Sequence, residues 1–577
     1  MRFVPDRRHT PTSRRTRLAM FAVNVGRCLI FLIVVASGAA HAAARPPAAA
    51  IASAHPLATA AGQEILAAGG NAFDAAVAVT AALAVVEPYS SGIGGGGFWL
   101  LHREKGDVDV MLDGREQASG AAHRDMYLDK DGNVISGMSI NGPLAAGIPG
   151  VPAALAYLAQ HYGKLPLAKS LAPAIRYARD GFAVEERYQR LAMFRKEVLL
   201  QSPAAAKIFL SNNEVPEVGE IIRQPDLASV LKTIAKQGAS GFYKGAVAEQ
   251  LVTGVTSAGG NWTLEDLANY RVVEREPVRG TYRGMEIISA APPSSGGIAL
   301  VEMLNILAGY DLDAFPAVTR KHLIVEAMRR AYRDRAEYLG DTDFVDVPVA
   351  RLIHPFYAAG LRAGIRHDKA TPSELLPGIG TSSDGDNTTH FSILDRQGNR
   401  VAATLSINFP FGAAFVPPGT GVLLNDEMDD FSAKAGVPNV YGLVGQEPNA
   451  IAPHKRPLSS MTPTFLDSDR GIAVLGTPGG SRIITMVLLA TLDFAAGGDP
   501  ASMVAVKRYH HQYLPDAIQS EPGAFSETEI RGLEAMGHRL EPRNRPYGNM
   551  QVVLWDRPNN RVLAASDPRG IGSAIVR

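Results

Sequence analysis

The sequence predicts an α+β protein. Helically spaced apolar residues fill the middle of the chain, a glycine-rich turn links a helix to a strand near the start, and the texture changes at Thr388 to strand-like segments joined by tight turns. Ala58–Ala68 has helical spacing and stops at Gly69-Gly70. Asn71 is a plausible N-cap for Ala72–Val86, with Asp74 at the third helical position, and the Ala/Val-rich surface of that helix predicts burial on all sides. Further helices are expected over Ala153–His161, Leu167–Asp180, Leu227–Gln237, Arg320–Leu339 and from Ile483 to about Ala495. Strands are expected over Phe98–His102, Thr388–Asp395, Val401–Asn408 and Ile472–Leu475, the middle pair joined by a Gly398-Asn399 turn. Ala43–Ala50 is Ala/Pro-rich and reads as disordered, and Leu375–Asn387 reads as an exposed polar linker open to cleavage.

The chain has 577 residues with 57 basic and 57 acidic groups, so no whole-chain basic footprint for nucleic acid is present. That balance hides an uneven start. Residues 1–42 hold seven arginines and one acid, then an apolar run from Cys28 to Ala40 and a small-x-small site, Ala40-His41-Ala42. This is the pattern of a secretory signal peptide, and the apolar run is too short for the roughly 20 residues of a membrane span. Export to the periplasm, or secretion, is therefore expected, with no stable membrane span after the signal is removed. Residues 43–577 hold 50 basic and 56 acidic groups and no cysteine, which excludes a disulfide, a thiol nucleophile or a thiolate metal site.

Gly92-x-Gly94-x-x-Gly97 satisfies a dinucleotide-binding spacing, but that motif must follow a strand and open a helix; here the order is reversed. The glycines instead permit a tight turn and close backbone approach. His510-His511 looks like a ligand pair, yet adjacent positions on an extended strand face opposite ways, so the pair reads as structural. Asp429-Asp430 fits a solvated turn, and no nearby histidine pattern supports a metal. No cofactor or metal is expected.

A threonine opening a strand directly after a polar linker permits one particular chemistry. The Thr388 hydroxyl can attack the carbonyl of Asn387, and hydrolysis of the resulting ester leaves Thr388 as a new N-terminus. Its α-amine, with an ordinary pKa of about 7.7–8.0, can then take the hydroxyl proton, so that one residue supplies nucleophile and base. Taken alone, Thr388-Thr389 reads as β-propensity and nothing more.

The surrounding segments decide between these readings. DNTTHFSILDRQGN, NDEMDDFS, PNVYGLVG, KRPLSSMTPT and GTPGGSRI, with HPLATAAGQEILAAGGNAFDAAVA, SSGIGGGGF, DGREQA, PPSSGG and DRAEYLGD upstream, resemble the γ-glutamyltransferase (γ-glutamyl transpeptidase) family from about Ile51 to Arg569. The resemblance implies an Ntn-hydrolase fold, a four-layer αββα sandwich with two antiparallel sheets between helical layers. It implies a large subunit of residues 43–387 and a small one of residues 388–577, separated at Asn387–Thr388 but sharing one core. Thr388 matches the nucleophile. Ser406 stands where relatives usually carry a second threonine that hydrogen-bonds it, a departure that keeps the hydroxyl. Asn408, Glu427 and Asp430 match residues that bind the α-amino group of a γ-glutamyl donor, and Arg115, Ser459 and Ser460 those that hold its α-carboxylate. Gly479 and Gly480 match the oxyanion-hole pair, and Tyr441, in a Pro438–Pro448 segment, a tyrosine on a mobile lid over the donor site. The implied reaction is acyl transfer from glutathione or a related donor to water, an amino acid or a dipeptide. A relative that hydrolyses another acyl group, such as a glutaryl-cephalosporin acylase or a poly-γ-glutamate-processing enzyme, is the nearest alternative; an inactive periplasmic binding protein is a more distant one. Without the resemblance, Arg115 reads as one end of an ion pair with Asp113 or Glu116.

Overall fold

The computed structural model describes residues 45–376 and 388–577. The signal peptide, Asn387 and most of the expected linker therefore lie outside the described residues. Residues 46–577 form one compact unit built around two sheets. Their strands, in chain order, are β1 (Ala50–Ser53), β2 (Gly96–Arg103), β3 (Val108–Gly114), β4 (Val273–Arg275), β5 (Val278–Tyr282), β6 (Met285–Ser289), β7 (Thr389–Leu394), β8 (Arg400–Ser406), β9 (Thr464–Ser468), β10 (Gly471–Gly476), β11 (Gln551–Asp556), β12 (Arg561–Ser566) and β13 (Ser573–Val576). The first sheet runs β13-β1-β7-β8-β2-β3-β4 and the second β12-β11-β10-β9-β6-β5, with antiparallel pairing throughout both. Each sheet contains strands from both sides of Thr388, so the two segments share one framework.

The period-2 pattern of the strands sorts their side chains into two cores. Trp99, Leu101, Phe391, Ile393, Val401 and Ala403 face the helices Pro56–Ala67 and Ala72–Val86. Phe98, Leu100, Met111, Leu394 and Ala402 face the second sheet. The helices Gly296–Leu307, Ala317–Tyr338 and Ile483–Ala495 contribute to the second core as well, which completes a helix–sheet–sheet–helix sandwich.

Local rules account for the helix boundaries. Asn71 caps Ala72–Val86 by accepting from the N–H groups of Phe73 and Asp74, and Asp74 answers on the Asn71 N–H at 2.9 Å. Every residue of that helix is buried, as its composition predicts. Leu167–Asp180 runs as expected, and the other expected helices begin or end within a few residues of their sequence limits. One expectation fails. The end of the Ala/Pro-rich stretch is ordered: Ala49 exchanges backbone hydrogen bonds with Arg577, and Ala50 begins β1. Composition hides this strand because its partners, β13 and β7, lie hundreds of residues away.

Candidate active site

Thr388 immediately precedes β7, an inner strand of the first sheet, and is buried. Neighbouring side chains are fixed by the strand. Thr389 donates its hydroxyl proton to Glu87 (2.7 Å), whose carboxyl burial pushes up to about 7. The buried His390 uses both ring nitrogens, against Thr404 Oγ1 (2.8 Å) and Ser392 Oγ (3.2 Å), and burial depresses its pKa to about 3. A neutral, fully bonded imidazole is unsuited to serve as a base for Thr388.

A cavity with only about 20 Å³ of free space joins Thr388 to Arg115, Ser406, Asn408, Glu427, Asp430, Tyr441, Ser459, Ser460 and Gly480. These positions, drawn from seven sequence segments, are the expected site residues. Gly479 alone among the described ones falls outside: it lines an adjoining cavity on the far side of its own peptide. Both glycines have positive φ, 143° and 56°, and a Cβ on Gly480 would stand 2.6 Å from the Tyr441 ring, so a side chain there would collide with the roof of the site.

The glycine-rich turn supports segments that line the cavity. A Cβ on Gly94 would lie 2.1 Å from the Leu423 carbonyl oxygen, and one on Gly95 2.1 Å from that of Ser406. That close approach lets the end of β8 and the 423–430 segment pack directly on the turn. Asn425 locks the arrangement: its amide donates to Gly94 O (2.7 Å) and Gly147 O (2.8 Å) and accepts from the N–H groups of Gly147 and Glu427, both at 3.0 Å. The residue chemistry carried no hint of this role, because all four bonds are made to backbone and three of them reach distant segments.

Ser406 Oγ accepts from the Asn408 N–H at 2.8 Å and so supports Asn408 at a φ of 70°, a left-handed conformation that asparagine tolerates. The Asn408 amide nitrogen donates to Asp426 O (3.0 Å), which leaves its carbonyl oxygen as the acceptor available to a ligand.

Charge is concentrated on one side. Arg115 is fully buried and donates to Glu427 (2.7 Å), Asp430 (2.5 Å) and Pro457 O (3.2 Å), with Glu116 at 3.5 Å. Of its two sequence neighbours, Asp113 accepts only the Arg115 backbone N–H and spends its other oxygen on Arg275 and Arg456. The adjacent-residue ion pair is therefore a minor element. Burial opposes the charge of Arg115, but the surrounding acids raise its pKa above the ordinary range. Burial pushes Glu427 up to about 7 and holds Glu116 well above the usual carboxylate range. Asp429-Asp430 is no solvated turn: Asp429 is buried, accepts from Ser139 (2.7 Å) and the Val440 N–H (2.8 Å), and is raised to about 6 by burial. A second buried cation, Arg335, reaches Ser460 Oγ at 3.3 Å and Ser295 Oγ at 3.0 Å. It sits in the quoted DRAEYLGD segment, but sequence alone offered no reason to direct it at the site.

Tyr441 closes the cavity, donating its hydroxyl to Asn408 O at 2.7 Å. Asn439 organises the loop beneath it, accepting from the N–H groups of Tyr441 (3.0 Å) and Leu443 (3.1 Å) while donating to Asp430 (3.1 Å). His510 and His511 are both buried and bonded to Thr485, Gln512 and Asp516, in keeping with a structural role. Among the described residues, His322, Glu326 and His538 place possible metal ligands together, but Glu326 is already committed to Arg329 and Arg330.

A four-layer sandwich whose central strand follows a buried threonine, facing glycines of positive φ and an Arg–acid cluster, has the form of an N-terminal-nucleophile hydrolase. Comparison with known proteins gives the particular family. The gamma-glutamyltranspeptidase family model matches residues 58–577. A glutathione hydrolase proenzyme of Escherichia coli is 43% identical over 529 residues, covering 90% of each chain. Among solved structures, a cephalosporin acylase from Bacillus halodurans superposes with a TM-score of 0.80 at 29% identity, over 92% of this chain and 96% of that one. The gamma-glutamyltranspeptidase of Helicobacter pylori gives 0.55 at 43% identity, over 56% of this chain and 93% of that one. The chain belongs to the gamma-glutamyltranspeptidase family.

Proposed function

We propose that the chain is an exported proenzyme that cleaves itself between Asn387 and Thr388 and then transfers the γ-glutamyl group of glutathione or a related donor. The single observation that carries the reading is the shared cavity of Thr388, Arg115, Asn408, Glu427, Asp430 and Gly480. In the first half-reaction the Thr388 hydroxyl attacks the γ-amide carbonyl and its α-amine takes the hydroxyl proton. Oxygen–carbon bond formation gives a tetrahedral oxyanion, for which the Gly479–Gly480 backbone supplies N–H donors. The carbon–nitrogen bond then breaks, the proton passes to the departing amine, and a γ-glutamyl ester remains. Water or the amine of an amino acid or dipeptide attacks that ester and restores Thr388.

Donor selection follows from the charge pattern. An α-carboxylate competes with Glu427 and Asp430 for the Arg115 fork, while Ser459 and Ser460 offer hydroxyls. The α-ammonium compensates the displaced acids and meets the Asn408 carbonyl oxygen. The likeness to a cephalosporin acylase makes a glutaryl donor the second reading. A glutaryl group would satisfy Arg115 but leave Glu427 and Asp430 without a cation, which favours the γ-glutamyl donor.

For location, no helix among the described residues is long and apolar enough to cross a membrane. The Arg-rich start, apolar run and Ala-x-Ala site support export to the periplasm.

The test pairs processing with turnover. Purified wild-type protein should give two chains, the smaller beginning at Thr388, and should hydrolyse a γ-glutamyl anilide at least tenfold faster than a glutaryl anilide. Thr388→Ala should remain one chain and be inactive. Cleavage at the same bond in Thr388→Ala would remove the nucleophile assignment, and a preference for the glutaryl anilide would favour the acylase reading.

A further inference from the structure

The cavity beyond Gly479 has a composition unlike the donor site. It measures about 90 Å³ and is lined by Arg187, Arg190, Leu191, Pro478, Gly479, Arg545, Pro546, Tyr547, Gly548 and Arg569, with no acidic residue among them. Arg569 is spent on Glu521 and Asp567. The other three arginines make no ion pair of their own among the described residues, and the buried Nε of Arg187 has no hydrogen-bond partner. Arg187 lies over the ring of Tyr89 at 5.6 Å, and the hydroxyl of that ring reaches Glu87 and Glu185. Arg190 and Arg545 are exposed at the mouth. Burial, with like charge from Arg545 and Arg187, lowers the pKa of Arg190 against an opposing pull from Tyr89 and Glu185.

Its position relates it to the reaction. Gly480 lines the donor cavity and Gly479 the arginine cavity, so one peptide unit separates them. On the other side, Glu87, which the Tyr89 hydroxyl reaches, accepts the hydroxyl of Thr389, the residue after Thr388. The arginines therefore lie close to both the oxyanion glycines and the strand that carries Thr388, on a wall distinct from the Arg115 side. A γ-glutamyl donor held at Arg115 by its amino-acid head directs its amide-linked portion away from that head. When that portion is a peptide, it ends in a carboxylate, and two extended residues reach about 7 Å.

We infer that Arg187, Arg190 and Arg545 form a second carboxylate-binding subsite, which recognises the C-terminal carboxylate of a peptidic leaving group and, in the second half-reaction, of a peptidic acceptor. Guanidinium forks suit a planar carboxylate, and a cavity of about 90 Å³ leaves room for that group. The inference rests on the acyl-transfer reading of Thr388. The three arginines set specificity for the portion of the substrate that the donor cavity does not touch.

The experiment uses the processed enzyme and three donors: glutathione, glutathione with its C-terminal carboxylate converted to an amide, and γ-glutamyl-p-nitroanilide, whose leaving group carries no carboxylate. Wild type should prefer glutathione to its amide by about tenfold in kcat/KM. Arg190→Gln/Arg545→Gln, at the exposed mouth, should reduce that ratio to near one, chiefly through KM, while anilide turnover changes less than twofold. Arg187→Lys should retain part of the preference. A ratio unchanged in the double variant, or equal losses on all three donors, overturns the subsite. A wild type inert towards the anilide overturns the acyl-transfer reading itself and the subsite with it.

Discussion

Arg115 shows how much of this site depends on residues that sequence spacing cannot connect. Its carboxylate partners lie more than 300 positions away. From the residues alone, an ion pair with Asp113 or Glu116 was the favoured reading; the family resemblance directed Arg115 to a donor carboxylate, and neither pointed to its bonds with Glu427 and Asp430. The planar fork satisfies both acids at once, which a lysine cannot do. Arg115→Lys should therefore raise the KM for a γ-glutamyl donor about tenfold in a folded, processed enzyme; an unchanged KM would show that this guanidinium is no donor clamp. Glu427 adds a pH dependence. Its carboxyl lies near 4.5 ordinarily and at about 7 here, chiefly through burial. Between those values the folded protein holds a proton that the unfolded chain has released, so this group lowers stability as pH rises from about 4.5 through 7. Ionised Glu427 is also the better acceptor for an ammonium. Donor KM should accordingly fall as pH rises from about 6 to about 8, and Glu427→Gln should flatten that slope. The same slope in both proteins would place the titration elsewhere.

At the scale of elements, the loop from Pro438 to Pro448 is the part most specific to this chemistry. Sequence gave its position between the expected donor-binding segments and its flanking prolines. It could not give the contacts that hold it, which run to Asn408 O, Asp429 and Gln512. The Tyr441 ring packs on Gly480 and its hydroxyl reaches Asn408, so one residue covers both the proposed oxyanion donors and the proposed ammonium acceptor. A cover of this kind shields an ester from water and gives amine acceptors time to compete. Tyr441→Ala should raise the ratio of hydrolysis to transfer several-fold while leaving self-cleavage intact. A ratio that does not move would make the loop a connector. The glycine-rich turn was legible as a close-approach element, because the helix-then-strand order excluded a nucleotide site. Its partners, the Ser406 and Leu423 carbonyls, emerge only when the sheet is assembled.

The molecule as a whole was legible in its helices, whose periodicity and caps are local, and less so at its edges. The first strand was missed because nothing near Ala50 announces it; its neighbours are β13, at the far end of the chain, and β7, which begins beside Thr388. That arrangement changes the molecularity of refolding once the Asn387–Thr388 bond is cut. A strand of the first polypeptide is then clasped between two strands of the second, and melting releases two separate chains. The intact chain can regain β13-β1-β7 by a unimolecular search, whereas the cut one needs an encounter whose rate falls with dilution. After melting and cooling, Thr388→Ala should recover its structure to the same extent across a hundredfold dilution, while recovery of the processed protein should decline over that range. Equal recovery would mean that the two chains never part. If they do part, cleavage converts a reversible fold into one held by its barrier to unfolding, and a spent molecule is replaced by synthesis rather than repaired.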